Sequence, residues 1–196
     1  GEEIYEGRFN IGAVTLNLPK LALDSKGDID EFFRLLKTYS DMIFEIHEWT
    51  YAQLGKATGI SNPLLFTQGG AWMSVGMHES IAPLLEAATA SLGYIGLEEC
   101  CQALFGRGVI EEHDFAIKII KELRQYCEAA KAKYGHLYAL YSTPAESLCH
   151  KFSTLLRKTY GVIPGVTDRD YLTNSFHVPV WQEVDALEKL TAEAEF

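Results

Sequence analysis

No two of the four cysteines have C-x-x-C spacing, and no Cys/His spacing matches a zinc site, so a zinc module and a thioredoxin-type redox motif are excluded and no metal is expected. Cys100, Cys101, Cys127 and Cys149 lie in apolar, helix-like contexts, which reads as reduced, buried thiols in a cytoplasmic protein. The adjacent Cys100 and Cys101 point to different sides of a helix, which argues against a redox pair. Positive charge is scarce. Lys and Arg number 17 against 27 Asp and Glu, a net charge of −10, which argues against nonspecific binding to nucleic acid or an anionic membrane. No apolar run approaches the ~20 residues of a membrane span, and no signal-peptide pattern opens the chain. The common catalytic signatures are missing too. His47-Glu48 is followed at the zincin position by Tyr51, Gly55-Lys56-Ala57-Thr58-Gly59 is not a P-loop, and neither G-x-G-x-x-G after a strand nor G-x-S-x-G occurs.

What is present is an ordinary globular composition, 47% hydrophobic and 22% charged over 196 residues, enough for one domain spanning 1–196. Strand-like runs occur near 11–18, 63–68, 91–96, 137–141 and 173–179. Helical periodicity separates them. A long helix from about Glu31 to Leu54 carries Phe32, Leu35, Leu36, Tyr39, Met42, Ile43, Ile46 and Trp49 at i, i+3, i+4, i+7 spacing. A short helix is expected near Ile81 to Ala90, and others over Leu97 to Phe105, from Asp114 to Gly135, and from Pro144 to Tyr160. Alternation of this kind predicts the α/β class: five parallel strands with connecting helices.

The densest chemical signal is Tyr141-Ser142-Thr143-Pro144-Ala145-Glu146-Ser147-Leu148, where a strand ends and a helix starts at once. Thr143 is placed to N-cap the helix, Pro144 fits its first position, and Glu146 stands where a capping box needs a carboxylate. The amides of Ala145, Glu146 and Ser147, with the hydroxyls of Ser142, Thr143 and Ser147, would form an anion site at a strand's carboxyl end, where α/β folds bind ligands. The same residues also serve a plain capping box, and spacing alone leaves both readings open. Among the six histidines, His177 stands out because it shares a strand-like segment with Asn174 and Ser175.

Three segments together resemble one family: Gly7-Arg8-Phe9-Asn10-Ile11-Gly12-Ala13-Val14-Thr15-Leu16-Asn17-Leu18-Pro19, Leu140 to Cys149, and Gly165-Val166-Thr167-Asp168-Arg169-Asp170-Tyr171-Leu172-Thr173-Asn174-Ser175-Phe176-His177-Val178. They look like the anaerobic (class III) ribonucleoside-triphosphate reductases, which are glycyl-radical enzymes, and Ser91 to Leu97 fits as well. The resemblance implies a ten-stranded α/β barrel of two five-stranded halves, this chain being the second. It implies reduction of ribonucleoside triphosphates to deoxyribonucleotides through thiyl and glycyl radicals. Ser142, Thr143, Ala145, Glu146 and Ser147 would receive the substrate phosphates, and Asn10 would stand beside the ribose, its other reading being a turn residue at the strand entrance. Asn174, Ser175 and His177 would line the barrel.

The resemblance places the radical cysteine before Gly1, and the glycyl radical and a structural zinc site after Phe196. No cofactor is therefore expected on these residues, while the whole enzyme would use a glycyl radical and formate or a thiol reductant. The implied partners are a ribonucleoside triphosphate, the remainder of the reductase, a radical-SAM activating enzyme, and a further copy in a homo-oligomer. The chain begins Gly-Glu-Glu-Ile and ends Ala-Glu-Ala-Glu-Phe, which reads as a piece of a longer protein, inactive alone. The competing reading is a non-catalytic nucleotide-binding or assembly half-barrel that docks onto a partner chain.

Overall fold

The computed structural model describes residues 6–175 and 177–196. Strand β1 (Phe9–Asn17) runs directly into helix α1 (Leu18–Asp24), then α2 (Ile29–Leu54) and the one-turn α3 (Pro63–Phe66). Strand β2 (Ala88–Ile95) leads to α4 (Leu97–Phe105) and α5 (His113–Tyr134). Strand β3 (Leu137–Ser142), α6 (Glu146–Tyr160) and α7 (Ala186–Glu193) complete the order, with 3₁₀ turns at Gly59–Ser61 and Ala82–Ala87.

The strands form a three-stranded sheet in the order β1-β2-β3. Its contacts give the direction. Arg8 meets Thr89, Asn10 meets Ser91, and a Cβ added at Gly93 would fall 2.5 Å from the Thr15 hydroxyl. The Tyr51 hydroxyl bonds both the Ala88 and Leu137 carbonyls, while the Thr143 amide donates to the Tyr94 carbonyl at 3.2 Å. Residue numbers rise together along all three strands, so the pairing is parallel. The middle strand β2 is buried along almost its whole length, as a strand covered on both faces must be.

Three of the five expected strands therefore form, and two do not. Residues 63–66 are helical because Pro63 sits in the first turn and the Asn62 side chain caps the Leu65 amide at 3.3 Å. A short apolar run reads alike in both states, and the cap decides. Over 173–179, Phe176 lies outside the described residues, and the rest make no strand. Their backbone groups go elsewhere: the Thr173 amide donates to Glu99 at 2.9 Å, and the Val178 amide to Glu193 at 2.7 Å. The helix expected near 81–90 contracts to the 3₁₀ turn, and a helix unforeseen in the sequence, α1, starts at Leu18. Asn17 caps it through the Lys20 amide, and Pro19, read as a strand stop, stands in its first turn.

The chain divides into two compact units, one comprising residues up to Val14, Asp41–Leu92 and Tyr126–Leu140, the other Thr15–Ser40, Gly93–Gln125 and Tyr141–Phe196. In the first unit Phe44 packs edge-on against Tyr138 with ring centres 5.0 Å apart, and His47 bonds the Ser91 carbonyl at 2.9 Å. In the second, Ile95, Cys149, Leu156 and Leu172 form a buried cluster flanked by Leu23, Leu148, Phe152 and Tyr160. Helix α1 packs on α4 there, and Gly96 is required between them. Its φ is +81°, and a Cβ would meet Pro19 Cγ at 2.6 Å.

Along α2 the buried stripe is Phe32, Leu36, Ser40, Ile43, Phe44, His47 and Tyr51. Tyr39, Met42, Ile46 and Trp49, expected on the core face, stay exposed, Trp49 to 65%. No described helix is long and apolar enough to cross a membrane.

Candidate functional site

The second unit gathers most of the chemistry-bearing side chains around the carboxyl ends of β2 and β3. Ser142 is the last residue of β3 and Tyr94 the penultimate residue of β2. Thr143 does not cap α6. Its amide extends the ladder to Tyr94, and its buried hydroxyl pairs with that of Thr15 at 3.0 Å. The Ala145 amide closes a turn onto the Thr143 carbonyl at 3.1 Å. The helix therefore starts two residues later than expected, at Glu146, with Ala145 as an N-cap that has no capping side chain. Glu146 becomes the first helical residue and cannot complete a capping box.

This shift alters the anion site without closing it. Ala145 is spent on the turn, while the amides of the exposed Glu146 and Ser147 have no partner among the described residues. Those two donors stand at the positive end of a 15-residue helix. Beside them lies a mostly apolar cavity of about 360 Å³, walled by Leu172, Val178, Val180 and Trp181, with Glu146, Asn174 and Lys189 among its few polar residues. Asn174 lines this space, while the Ser175 carbonyl lies 3.4 Å from the Ser142 hydroxyl.

His177 is buried and sits at the centre of a polar chain. Its Nδ1 lies 3.0 Å from Glu193 Oε2 on α7, and its Nε2 lies 2.8 Å from the Tyr94 hydroxyl and 3.5 Å from Ser142 Oγ. An ionised carboxylate only accepts, so Nδ1 carries a hydrogen; in the neutral ring Nε2 then accepts from Tyr94. Burial pushes the Glu193 carboxyl up, but its hydrogen bonds with His177 and the Val178 amide outweigh that and hold it below the ordinary value. Burial raises the Tyr94 hydroxyl, partly offset by Ser142. Nothing local in the sequence joins Tyr94, His177 and Glu193.

A fully buried acid supports the same segment. Glu99, in the first turn of α4, accepts from both the amide and the hydroxyl of Thr173 at 2.9 Å. Burial pushes its carboxyl up to about 7 against those hydrogen bonds, with the charge of Glu98 adding to the rise. Its Oε2 has no partner among the described residues.

Asn10 belongs to the first unit. Its amide donates to Ser91 Oγ at 2.6 Å, and its oxygen accepts the Gly12 amide at 2.7 Å. That unit holds another polar cluster missed in the sequence. Glu48 bonds His136 at 2.7 Å and also Tyr138, while Tyr51 stacks on His136 with centres 3.9 Å apart. It lies where β2 and β3 begin, and its hydroxyl bonds to strand carbonyls read as structural.

The four cysteines are buried and unpaired by disulfides, and burial raises all four thiols, Cys101 and Cys127 to about 12 and Cys149 to about 11. Among the described residues no group of three or more His, Cys, Asp or Glu could hold a metal ion.

Residues 2–196 match the family model described as anaerobic ribonucleoside-triphosphate reductase. Over 202 aligned residues the chain is 35% identical to the anaerobic ribonucleoside-triphosphate reductase of Escherichia coli (strain K12), covering all of this chain and 28% of that protein. It is also 35% identical to that of Enterobacteria phage T4, of which it covers 32%. The chain thus spans about a third or less of these relatives. Among solved structures, the anaerobic ribonucleotide reductase of Thermotoga maritima in complex with dATP and CTP aligns at a TM-score of 0.73, 20% identity and 95% of this chain, covering 32% of that one. The same enzyme with citrate in the active site also gives 0.73, over 94% of this chain and 35% of that one. These two likenesses concern the fold.

Proposed function

Because the chain belongs to the anaerobic ribonucleoside-triphosphate reductase family, we propose that it forms one half of that enzyme's catalytic barrel and supplies the helix end that receives the substrate triphosphate. The observation that carries this reading is the start of α6. Two amides, Glu146 and Ser147, stand exposed and uncapped past the carboxyl end of a parallel strand. Such a terminus favours a phosphate through its donors and its dipole. The Ser147 hydroxyl stands at this end itself, Ser142 ends the strand before it, and the Thr143 hydroxyl is paired with that of Thr15. Asn10 serves the ribose in this reading.

The residues described here bind and orient. In this reading a cysteine thiyl radical, generated by the glycyl radical, would abstract the ribose hydrogen, and formate or a thiol would supply the reducing electrons, on residues other than those described here. The remaining partners are the rest of the reductase, its radical-SAM activating enzyme, and a second copy. The substrate is a ribonucleoside triphosphate, and deoxyribonucleotide synthesis is the outcome.

Substituting Ser147→Pro tests the cradle. Proline is tolerated in a helix's first turn but removes one of the two open donors. Binding of a ribonucleoside triphosphate, measured by calorimetry, should weaken about tenfold, the worth of one charge-assisted hydrogen bond. Unchanged affinity in a folded variant would remove the helix terminus from the site.

A further inference from the structure

One residue of the cavity wall is tied down through its amide, its hydroxyl and its carbonyl together. Tyr171, Leu172, Thr173 and Asn174 line the cavity in succession. Thr173 gives its amide and its hydroxyl to Glu99 Oε1, each at 2.9 Å, and its carbonyl accepts the Gly96 amide at 2.9 Å. The chain on either side is anchored separately. Leu172 is buried in the cluster with Ile95, Cys149 and Leu156, and the Val178 amide is held by Glu193. Between those anchors Ser175 adds a long contact, its carbonyl 3.4 Å from the Ser142 hydroxyl. Residues 173–175 are thus a short bridge pinned chiefly at Thr173, and the pin is a carboxyl that is 2% exposed.

That carboxyl is unevenly satisfied. Oε1 takes two donors, and Oε2 has none among the described residues. A buried oxygen without a donor is a poor place for negative charge. The neighbouring groups do not improve it. Glu98, adjacent on α4, has like sign and is occupied with the Val109 amide at 2.7 Å. The thiols of Cys100 and Cys101 on α4 and of Cys149 on α6 are raised by burial and uncharged. Helix α1 presents Pro19 to Gly96, and its Lys20 is paired with Asp24. Burial therefore pushes the Glu99 carboxyl up to about 7.

We propose that Glu99 is a proton-held latch for the cavity wall: the neutral carboxyl keeps residues 173–175 closed on α4, and release of its proton to solvent accompanies their opening. In the closed form Oε2 carries the proton and Oε1 accepts from Thr173. In the open form the carboxylate, the Thr173 amide and the Thr173 hydroxyl all bond to water, while Leu172 stays in its cluster and keeps Cys149 covered. The latch requires nothing of the α6 terminus. Once open, the carboxyl returns to its ordinary value of 4.5. Between 4.5 and about 7 the closed form holds a proton that the open form lacks, so opening grows more frequent as pH rises and levels off above 7.

Residue-resolved amide exchange by NMR at pH 5, 6, 7 and 8, corrected for the intrinsic exchange rate, tests the latch. The reporters are the amides of Thr173 and Gly96, whose hydrogen bonds both break when it opens. The buried Ile119, Ile120 and Leu123 of α5 report global unfolding. At every pH the two reporters should open at least about tenfold more often than the α5 amides. Their opening should grow about fortyfold from pH 5 to 7 and little more by pH 8. Glu99→Gln should flatten this dependence while leaving the reporters faster than α5. Thr173→Val removes one donor and leaves the carboxyl, so the two amides should open severalfold more often with the pH dependence kept; this variant and the wild-type profile decide the matter if Glu99→Gln does not fold. Reporters that open only together with α5, a wild-type profile independent of pH, or an unchanged pH dependence in Glu99→Gln overturns the latch.

Discussion

Replacing Glu99 by Gln should remove a loss of stability that this protein suffers between about pH 4.5 and 7. In the unfolded chain the carboxyl loses its proton near 4.5; in the fold burial delays that loss to about 7. Between those values the folded state holds a proton that the unfolded state has released, so this group's contribution to stability falls as pH rises through the window and is fully lost above it. The displacement corresponds to about 3 kcal/mol, at 1.36 kcal/mol per pH unit, and the group is buried enough that solvent screening does not erode it. Gln has nearly the same shape, and its Oε1 can keep both hydrogen bonds from Thr173. Its amide nitrogen would lie where Oε2 has no partner, a cost of about 1 kcal/mol at every pH. Urea unfolding of both proteins at pH 5 and pH 8 makes the comparison. The stability difference, variant minus wild type, should move by about 2–3 kcal/mol in favour of the variant at the higher pH. Parallel pH dependences would refute the reasoning, because they would mean that Glu99 ionises in the fold as it does in the unfolded chain.

Gly93→Ala should cost about 1–3 kcal/mol in the same assay, since its Cβ would lie 2.5 Å from the hydroxyls of both Thr15 and Thr143; an unchanged midpoint would show that these two can part freely. Alkylation of Cys100, Cys101, Cys127 and Cys149 by iodoacetamide at pH 8 should follow global unfolding, because all four thiols are buried and raised; mass spectrometry showing rapid modification of the folded chain would contradict this. The exposed Met42, Ile46 and Trp49 on α2, with the outer edges of β1 and β3, should drive self-association in sedimentation runs at rising concentration, and Trp49→Glu should lower it; a wild-type monomer at all concentrations would show that these surfaces tolerate water.

Local chemistry made much of the fold legible. Gly106, Gly135 and Gly161 mark the ends of α4, α5 and α6, all at positive φ. The β-rich runs before Pro19, around Tyr94 and at Leu137 are strands, and α2 spans nearly the residues its periodicity implied. Ser142, Glu146 and Ser147 stand out as a strand-to-helix junction from their order alone.

Other features were decided only when distant residues met. Pro63–Phe66 is helical because Asn62 caps it, and residues 173–178 make no strand because Glu99 and Glu193 take their amides. Thr143 looks like an N-cap in isolation, yet β2 and Thr15 claim its amide and hydroxyl first. Tyr94, His177 and Glu193 carry no motif, since Tyr94 lies 83 residues from His177. Periodicity and capping are written within a few residues, so the sequence by itself determined where most helices stop and which central strands form. A buried donor or acceptor takes whichever partner the packed chain brings within 3 Å or so, and that competition is settled only in the tertiary structure.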